Sequence, residues 1–222
     1  MVRGVFVTGT DTGIGKTVVS AAIMLRLRNE CAVRYWKPIQ TGIEQDDDTA
    51  EVARLAACRP YELLTSGVRL PRPLSPHVSA RLSGATIDIQ PLVDSVNAAA
   101  SPDTRFVVEG AGGVLVPIND TELMIDLMVR LALPVVVVSR STLGTINHTL
   151  LTLEALRRRS LTIAGIVLVG PRNADNRDAI ERYGTAQVLG ELPMFAQVEP
   201  SGLAEWAAHE FDGSGRMLEL LR

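Results

Sequence analysis

Residues Gly9-Thr10-Asp11-Thr12-Gly13-Ile14-Gly15-Lys16-Thr17 follow a short apolar run, Val5–Val7, and open a stretch with helical spacing. A strand that turns through glycines into a helix N-terminus is the phosphate-binding arrangement of parallel α/β proteins. Glycines leave backbone N–H groups free to turn toward phosphate oxygens. The helix N-terminus adds its positive end. Lys16 supplies a full charge for β- and γ-phosphates, and the Thr17 hydroxyl is suited to Mg²⁺. Five residues separate Gly9 from Gly15, where the common motif has four, so Gly13 counts as an extra loop glycine.

The remaining apolar runs agree with that start. Val33–Trp36, Phe106–Val108, Val135–Val138 and Ile163–Val169 are mostly Val and Ile and alternate little with polar residues. Such runs are strands buried on both faces. Helical spacing is expected between them, over Thr17–Arg28, Thr49–Ala57, Ile125–Leu133 and His148–Arg159. Strand and helix in alternation imply an α/β fold of the P-loop NTPase type, a mostly parallel sheet with helices on both faces. The chain, 1–222, reads as one domain. Leu70–Pro76 is proline-rich and is expected to be an extended surface connection. A loop, Asp212–Gly215, precedes one last short helix.

Composition removes several function classes. Lys and Arg number 22 against 25 Asp and Glu, and aromatics are 4%. That balance argues against broad nucleic-acid binding, which needs a clustered basic face, and against a base-stacking platform. The longest apolar run, Leu131–Val138, has eight residues and contains Pro134. A bilayer-crossing helix needs about 20, so no membrane segment or leader peptide is expected. Cys31 and Cys58 are expected as small buried hydrophobes in a reducing cytoplasm.

Three further segments carry chemistry. Phe106-Val107-Val108-Glu109 is an apolar strand ending in an acid, followed by Gly110-Ala111-Gly112-Gly113. A carboxylate there lies at the edge where α/β sheets bind ligands. Lys37 ends the second strand and is aimed at the same edge. Of Asp46-Asp47-Asp48 before a helix, the first two fit a solvated helix start. One of the three acids is a candidate oxygen ligand for Mg²⁺.

Together these segments resemble the dethiobiotin synthetase family. The matching pieces are Thr8–Thr17, Lys37-Pro38 with Thr41-Gly42, Glu109–Gly113, Leu143–His148 and Gly190–Pro193. The resemblance implies conversion of 7,8-diaminononanoate, CO₂ and MgATP to dethiobiotin, ADP and phosphate through a phosphorylated carbamate. It makes Lys16 and Lys37 the cationic clamps and gives Mg²⁺ to Thr17, Asp48 and Glu109. The nucleotide would touch Gly13, Ile14, Gly15, Lys16, Thr17, Val18, Asp48, Glu109, Gly110, Ala111 and Gly112. Pro193, Met194 and Phe195 would line its base. Thr41 would lie near the diamine, and the turn Gly144-Thr145-Ile146-Asn147 would bind the substrate carboxylate across a homodimer interface. The turn precedes a helix, where free N–H groups suit a carboxylate. A second possibility is a ParA-like or MinD-like nucleotide switch. Those proteins carry an extra lysine early in the loop, where Asp11 stands here.

Overall fold

The computed structural model describes residues 1–195 and 198–221. In chain order the elements are β1 (Gly4–Gly9), α1 (Lys16–Arg28), β2 (Ala32–Trp36), β3 (Ile39–Thr41), α2 (Asp48–Leu55), β4 (Leu63–Leu64), β5 (Val68–Leu70), α3 (Pro76–Leu82), α4 (Ile89–Ala98) and β6 (Thr104–Gly113). There follow α5 (Met124–Leu131), β7 (Val135–Arg140), α6 (Thr145–Arg158), β8 (Ile163–Val169), α7 (Ala174–Gly184), β9 (Val188–Leu192), α8 (Pro200–His209) and α9 (Arg216–Leu220).

Among the described residues the main sheet has seven strands in the order β4-β2-β6-β1-β7-β8-β9. Its pairings are parallel throughout. β3 and β5 form a separate parallel pair. The sheet explains the unbroken apolar runs. Phe6, Val135, Val137, Ile166 and Leu168 pack into one core with α3, α4, α5, α6 and α7. Val5, Val7, Val136, Val138 and Val167 pack into another with α1, α2, α8 and α9. Both faces are dry, so no polar alternation is written into the strands.

The topology also places the site. From β1 the chain builds leftward through β2 and β4, returns as β6, then continues rightward through β7, β8 and β9. Strand order reverses beside β1, and a crevice opens at its carboxyl end.

Several expectations change. The strand holding Glu109 runs on to Gly113, so this acid lies within β6 and not at its tip. Thr145, Ile146 and Asn147 form the first turn of α6, with Gly144 as its N-cap. Leu70 is a buried member of β5 and Pro76 opens α3, so only Pro71–Ser75 connect elements. Cys31 and Cys58 are half-buried free thiols at the margin of the α1-side core. The last short helix, α9, follows its loop as expected. Among the described residues no helix is long and apolar enough to cross a membrane.

Candidate functional site

The glycine loop leaves β1 and enters α1 at Gly15, whose φ of 95° is left-handed and suits glycine. Gly9 is crowded instead, since a Cβ there would lie 2.6 Å from Ile14 Cδ1 and 3.0 Å from the Asp11 carbonyl oxygen, so the Ile14 side chain would have to yield. Lys16 follows Gly15 and is buried, with its ammonium donating to the Asp11 carbonyl at 2.9 Å. Burial, then the neighbouring Lys37 charge, lowers the Lys16 pKa to about 8. An anion at the loop would reverse that pull, which is the electrostatic signature of a phosphate cradle.

Beside the loop four side chains converge. Thr17 Oγ1 lies 2.8 Å from Asp48 Oδ1 and 3.1 Å from Glu109 Oε1. A hydroxyl has one proton, so it donates to one carboxylate at a time. Lys37 Nζ lies 2.6 Å from Asp48 Oδ2, 2.8 Å from Glu109 Oε1 and 3.1 Å from the Gly110 carbonyl. Its three protons are thus all directed. Burial opposes the Lys37 charge, but Glu109 and Asp48 overcome it and hold the pKa above the ordinary value. Asp48 is the mirror case: burial opposes its charge, and Lys37 and Thr17 bring its pKa below the ordinary value. Lys37 is only 3% exposed, so a freely solvated surface lysine is ruled out.

Local chemistry sets each of these residues. Asp47 caps α2, accepting from the N–H groups of Thr49 and Ala50, and so presents Asp48 in the first helical turn. Gln40 donates to the carbonyls of Thr41 and Asp46, closing the loop between β3 and α2. Pairing of β2 with β6 brings Trp36 beside Val108, which carries Lys37 to Glu109. Tyr35 enters as well, its hydroxyl donating to Glu109 Oε2 at 2.9 Å. Nothing in the sequence pattern singles Tyr35 out, although a tyrosine in a doubly buried strand needs a partner for its hydroxyl.

A cleft of about 980 Å³ opens over this cluster. Gly13, Ile14, Gly15, Lys16, Thr17, Lys37, Thr41, Asp48, Glu109, Ala111 and Gly112 line it, and Pro73–Pro76 form its far wall. The proline-rich segment is therefore a cleft wall. Val18, Gly110, Pro193, Met194, Phe195 and Gly144–Asn147 are not among the lining residues. Val18 and Phe195 turn to the α1-side core, and Met194 is largely exposed. Gly110 backs onto the Phe6 ring, 2.9 Å from where a Cβ would stand, and offers only its carbonyl. Gly144–Asn147 lie behind the loop. There Ser139 Oγ is 2.8 Å from Thr145 Oγ1, 2.7 Å from Thr149 Oγ1 and 3.4 Å from Thr10 Oγ1. That hydroxyl cluster ties the first turn of α6 to the glycine loop.

The oxygens of Thr17, Asp48 and Glu109 are hard donors. Two carboxylates and a hydroxyl suit Mg²⁺, which keeps several waters and shares its shell with phosphates. Among the described residues no group of three His, Cys, Asp or Glu side chains gathers for a metal. Lys16 and Lys37 match Asp48 and Glu109 in charge, so a nucleotide's phosphates would add negative charge that a cation at these oxygens helps offset.

A family model described as "AAA domain" matches residues 3–201. The chain is 52% identical over 202 residues to "ATP-dependent dethiobiotin synthetase BioD" of Paramagnetospirillum magneticum, covering 91% of this chain and 93% of the relative. The protein of the same name from Brucella ovis is 44% identical over 205 residues, covering 92% of each chain. The chain belongs to the dethiobiotin synthetase family. It also matches 42% of a longer relative, "Biotin biosynthesis bifunctional protein BioCD" of Bordetella avium, at 47% identity and covering 92% of this chain. Among solved structures, a ParA family ATPase from Chlorobium tepidum superposes with a TM-score of 0.58 at 12% identity, over 93% of this chain and 99% of that one. The MinC:MinD complex of Aquifex aeolicus gives 0.55 at 14%, over 99% and 94%. These likenesses show the P-loop NTPase-like fold, which this dethiobiotin synthetase family member shares.

Proposed function

We propose that this chain, acting as one domain in the cytoplasm, joins 7,8-diaminononanoate and CO₂ into dethiobiotin while converting ATP to ADP and phosphate. The observation that carries the proposal is the convergence of Lys16, Lys37, Thr17, Asp48 and Glu109 at one cleft mouth. One amine of the diamine attacks CO₂ and loses a proton, giving a carbamate anion. A carbamate oxygen then takes the γ-phosphoryl group and ADP leaves. The second amine attacks the activated carbon and gives up a proton to solvent as the bond to phosphate breaks, so the ring closes and phosphate departs.

Each step asks something of the residues. The carbamate and the triphosphate repel, so the ammonium groups of Lys16 and Lys37 hold both anions at the rim. The loop amides and Lys16 take the β- and γ-phosphates. Thr17, Asp48 and Glu109 would hold Mg²⁺, which supplies Lewis-acid neutralisation of phosphate charge. Thr41, at the cleft wall, faces the diamine. The N–H groups of the first turn of α6, Gly144–Asn147, bind the substrate carboxylate of a partner copy in a homodimer. Pro193, Met194 and Phe195 close on the base when nucleotide is bound.

ATP turnover by the purified chain should require diaminononanoate and bicarbonate together. Turnover equally fast with either one omitted would overturn the proposal.

A further inference from the structure

Glu109 is wholly buried, and a carboxylate in that position needs every lone pair met. Lys37 and Thr17 both approach Oε1. Oε2 has, among the described residues, a single donor, the Tyr35 hydroxyl. Tyr35 pairs in register with Val107, so Glu109 stands diagonal to it across β2 and β6. Diagonal neighbours are roughly 7–8 Å apart, a gap that only a long or aromatic side chain spans. The ring packs with Val107 in the α1-side core and is itself fully buried, so its hydroxyl is held in place.

We propose that Tyr35 is a positioning residue, which by donating to Oε2 locks Glu109 so that Oε1 faces the oxygens of Thr17 and Asp48 where the divalent cation binds. Without that bond the carboxylate loses its only anchor on one side and can turn Oε1 away from the shared site. Burial, then Glu109, raises the phenol pKa well above the ordinary value, so the hydroxyl remains a donor. Groups that orient a metal ligand typically change metal affinity or activity by about 10–100-fold when removed. The inference rests on the cation role proposed for Glu109.

Tyr35→Phe tests it, since it deletes one oxygen and keeps the ring. Mn²⁺, standing in for Mg²⁺, is titrated into wild type and variant with a non-hydrolysable ATP analogue present, and free Mn²⁺ is read by electron paramagnetic resonance. The expected result is a dissociation constant raised about 10–100-fold. The Mg²⁺ concentration for half-maximal activity should rise in parallel, while the diamine KM stays unchanged. A merely structural tyrosine would lower the thermal midpoint and leave Mn²⁺ affinity alone. Mn²⁺ affinity within about threefold of wild type would overturn the positioning role, with ordinary outer-shell effects as the yardstick. A wild type that binds no Mn²⁺ would overturn both this inference and the cation site beneath it.

Discussion

The carboxyl rim of the sheet has two unlike halves. Around β1, β6 and β2, Lys37, Asp48 and Glu109 hold one another. Lys37 bridges Asp48 and Glu109, Thr17 bonds to the same acids, and Tyr35 closes the far side of Glu109. Beyond β7 and β9 the chain is open. Leu143 is fully exposed, Met194 largely so, and the first turn of α6 has no side-chain cap. The contrast teaches that the half proposed to transfer phosphate is organised within one chain. The half proposed to recognise the diamine carboxylate and the base would be completed by what binds there, a second copy or a nucleotide.

The largest expected effect breaks the organised half. Lys37→Ala should lower kcat by about 10²–10³-fold, the usual loss when a positioned charge donor is removed. Nucleotide binding should remain measurable, because Lys16 and the loop are untouched. The same change leaves Asp48 and Glu109 facing each other, so the unliganded protein should lose about 3 kcal/mol in urea unfolding. Synthesis near the wild-type rate would remove Lys37 from the chemistry.

A smaller effect is expected in the open half. If a partner copy covers Leu143, burying it contributes about 1.5–3 kcal/mol per copy. Leu143→Asp should then shift sedimentation toward monomer and raise the diamine KM by about tenfold or more, as that loss of contact implies. ATP-analogue affinity should be unchanged. Equal sedimentation and equal KM would show that this face is not covered.

The smallest effect lies outside both halves and sets the scale for them. Burial works against ionisation of Asp126, but the Leu123 N–H and the Arg159 guanidinium lower its pKa below the ordinary value. A depressed carboxyl contributes stability above its unfolded pKa and loses it as pH falls through the folded one. Asp126→Asn should therefore cost under about 1 kcal/mol at pH 7, since solvent screens the half-exposed Arg159. The gap should close only once the pH has fallen through the depressed folded-state pKa, where both forms are neutral at this position. A gap that persisted there would assign the effect to packing.

The two halves were also unequally legible in the sequence. The glycine loop and the Glu109 segment are local patterns, in which strand, turn and helix follow one another, and both line the cleft as adjoining walls. Lys37 and Asp48 reach Glu109 only because β2 pairs with β6 and Asp47 caps α2. Tyr35 is invisible for the same reason, its partner being 74 residues away. Ile89, Leu92, Val93 and Val96 do carry helical spacing for α4. α7 carries almost none, with Ile180 and Gly184 its only buried residues. Gly190 and Glu191 interrupt the apolar run of β9, and β3, β4 and β5 are too short to show a period.

The most direct measurement is a crystal structure with Mg²⁺, a non-hydrolysable ATP analogue and diaminononanoate. The γ-phosphate should lie between Lys16 and Lys37, with the cation on Thr17, Asp48 and Glu109 and an amine of the diamine beside Thr41. Nucleotide and diamine bound at separate places, with Lys37 still closed on both acids, would contradict a single rim that gathers the reacting anions.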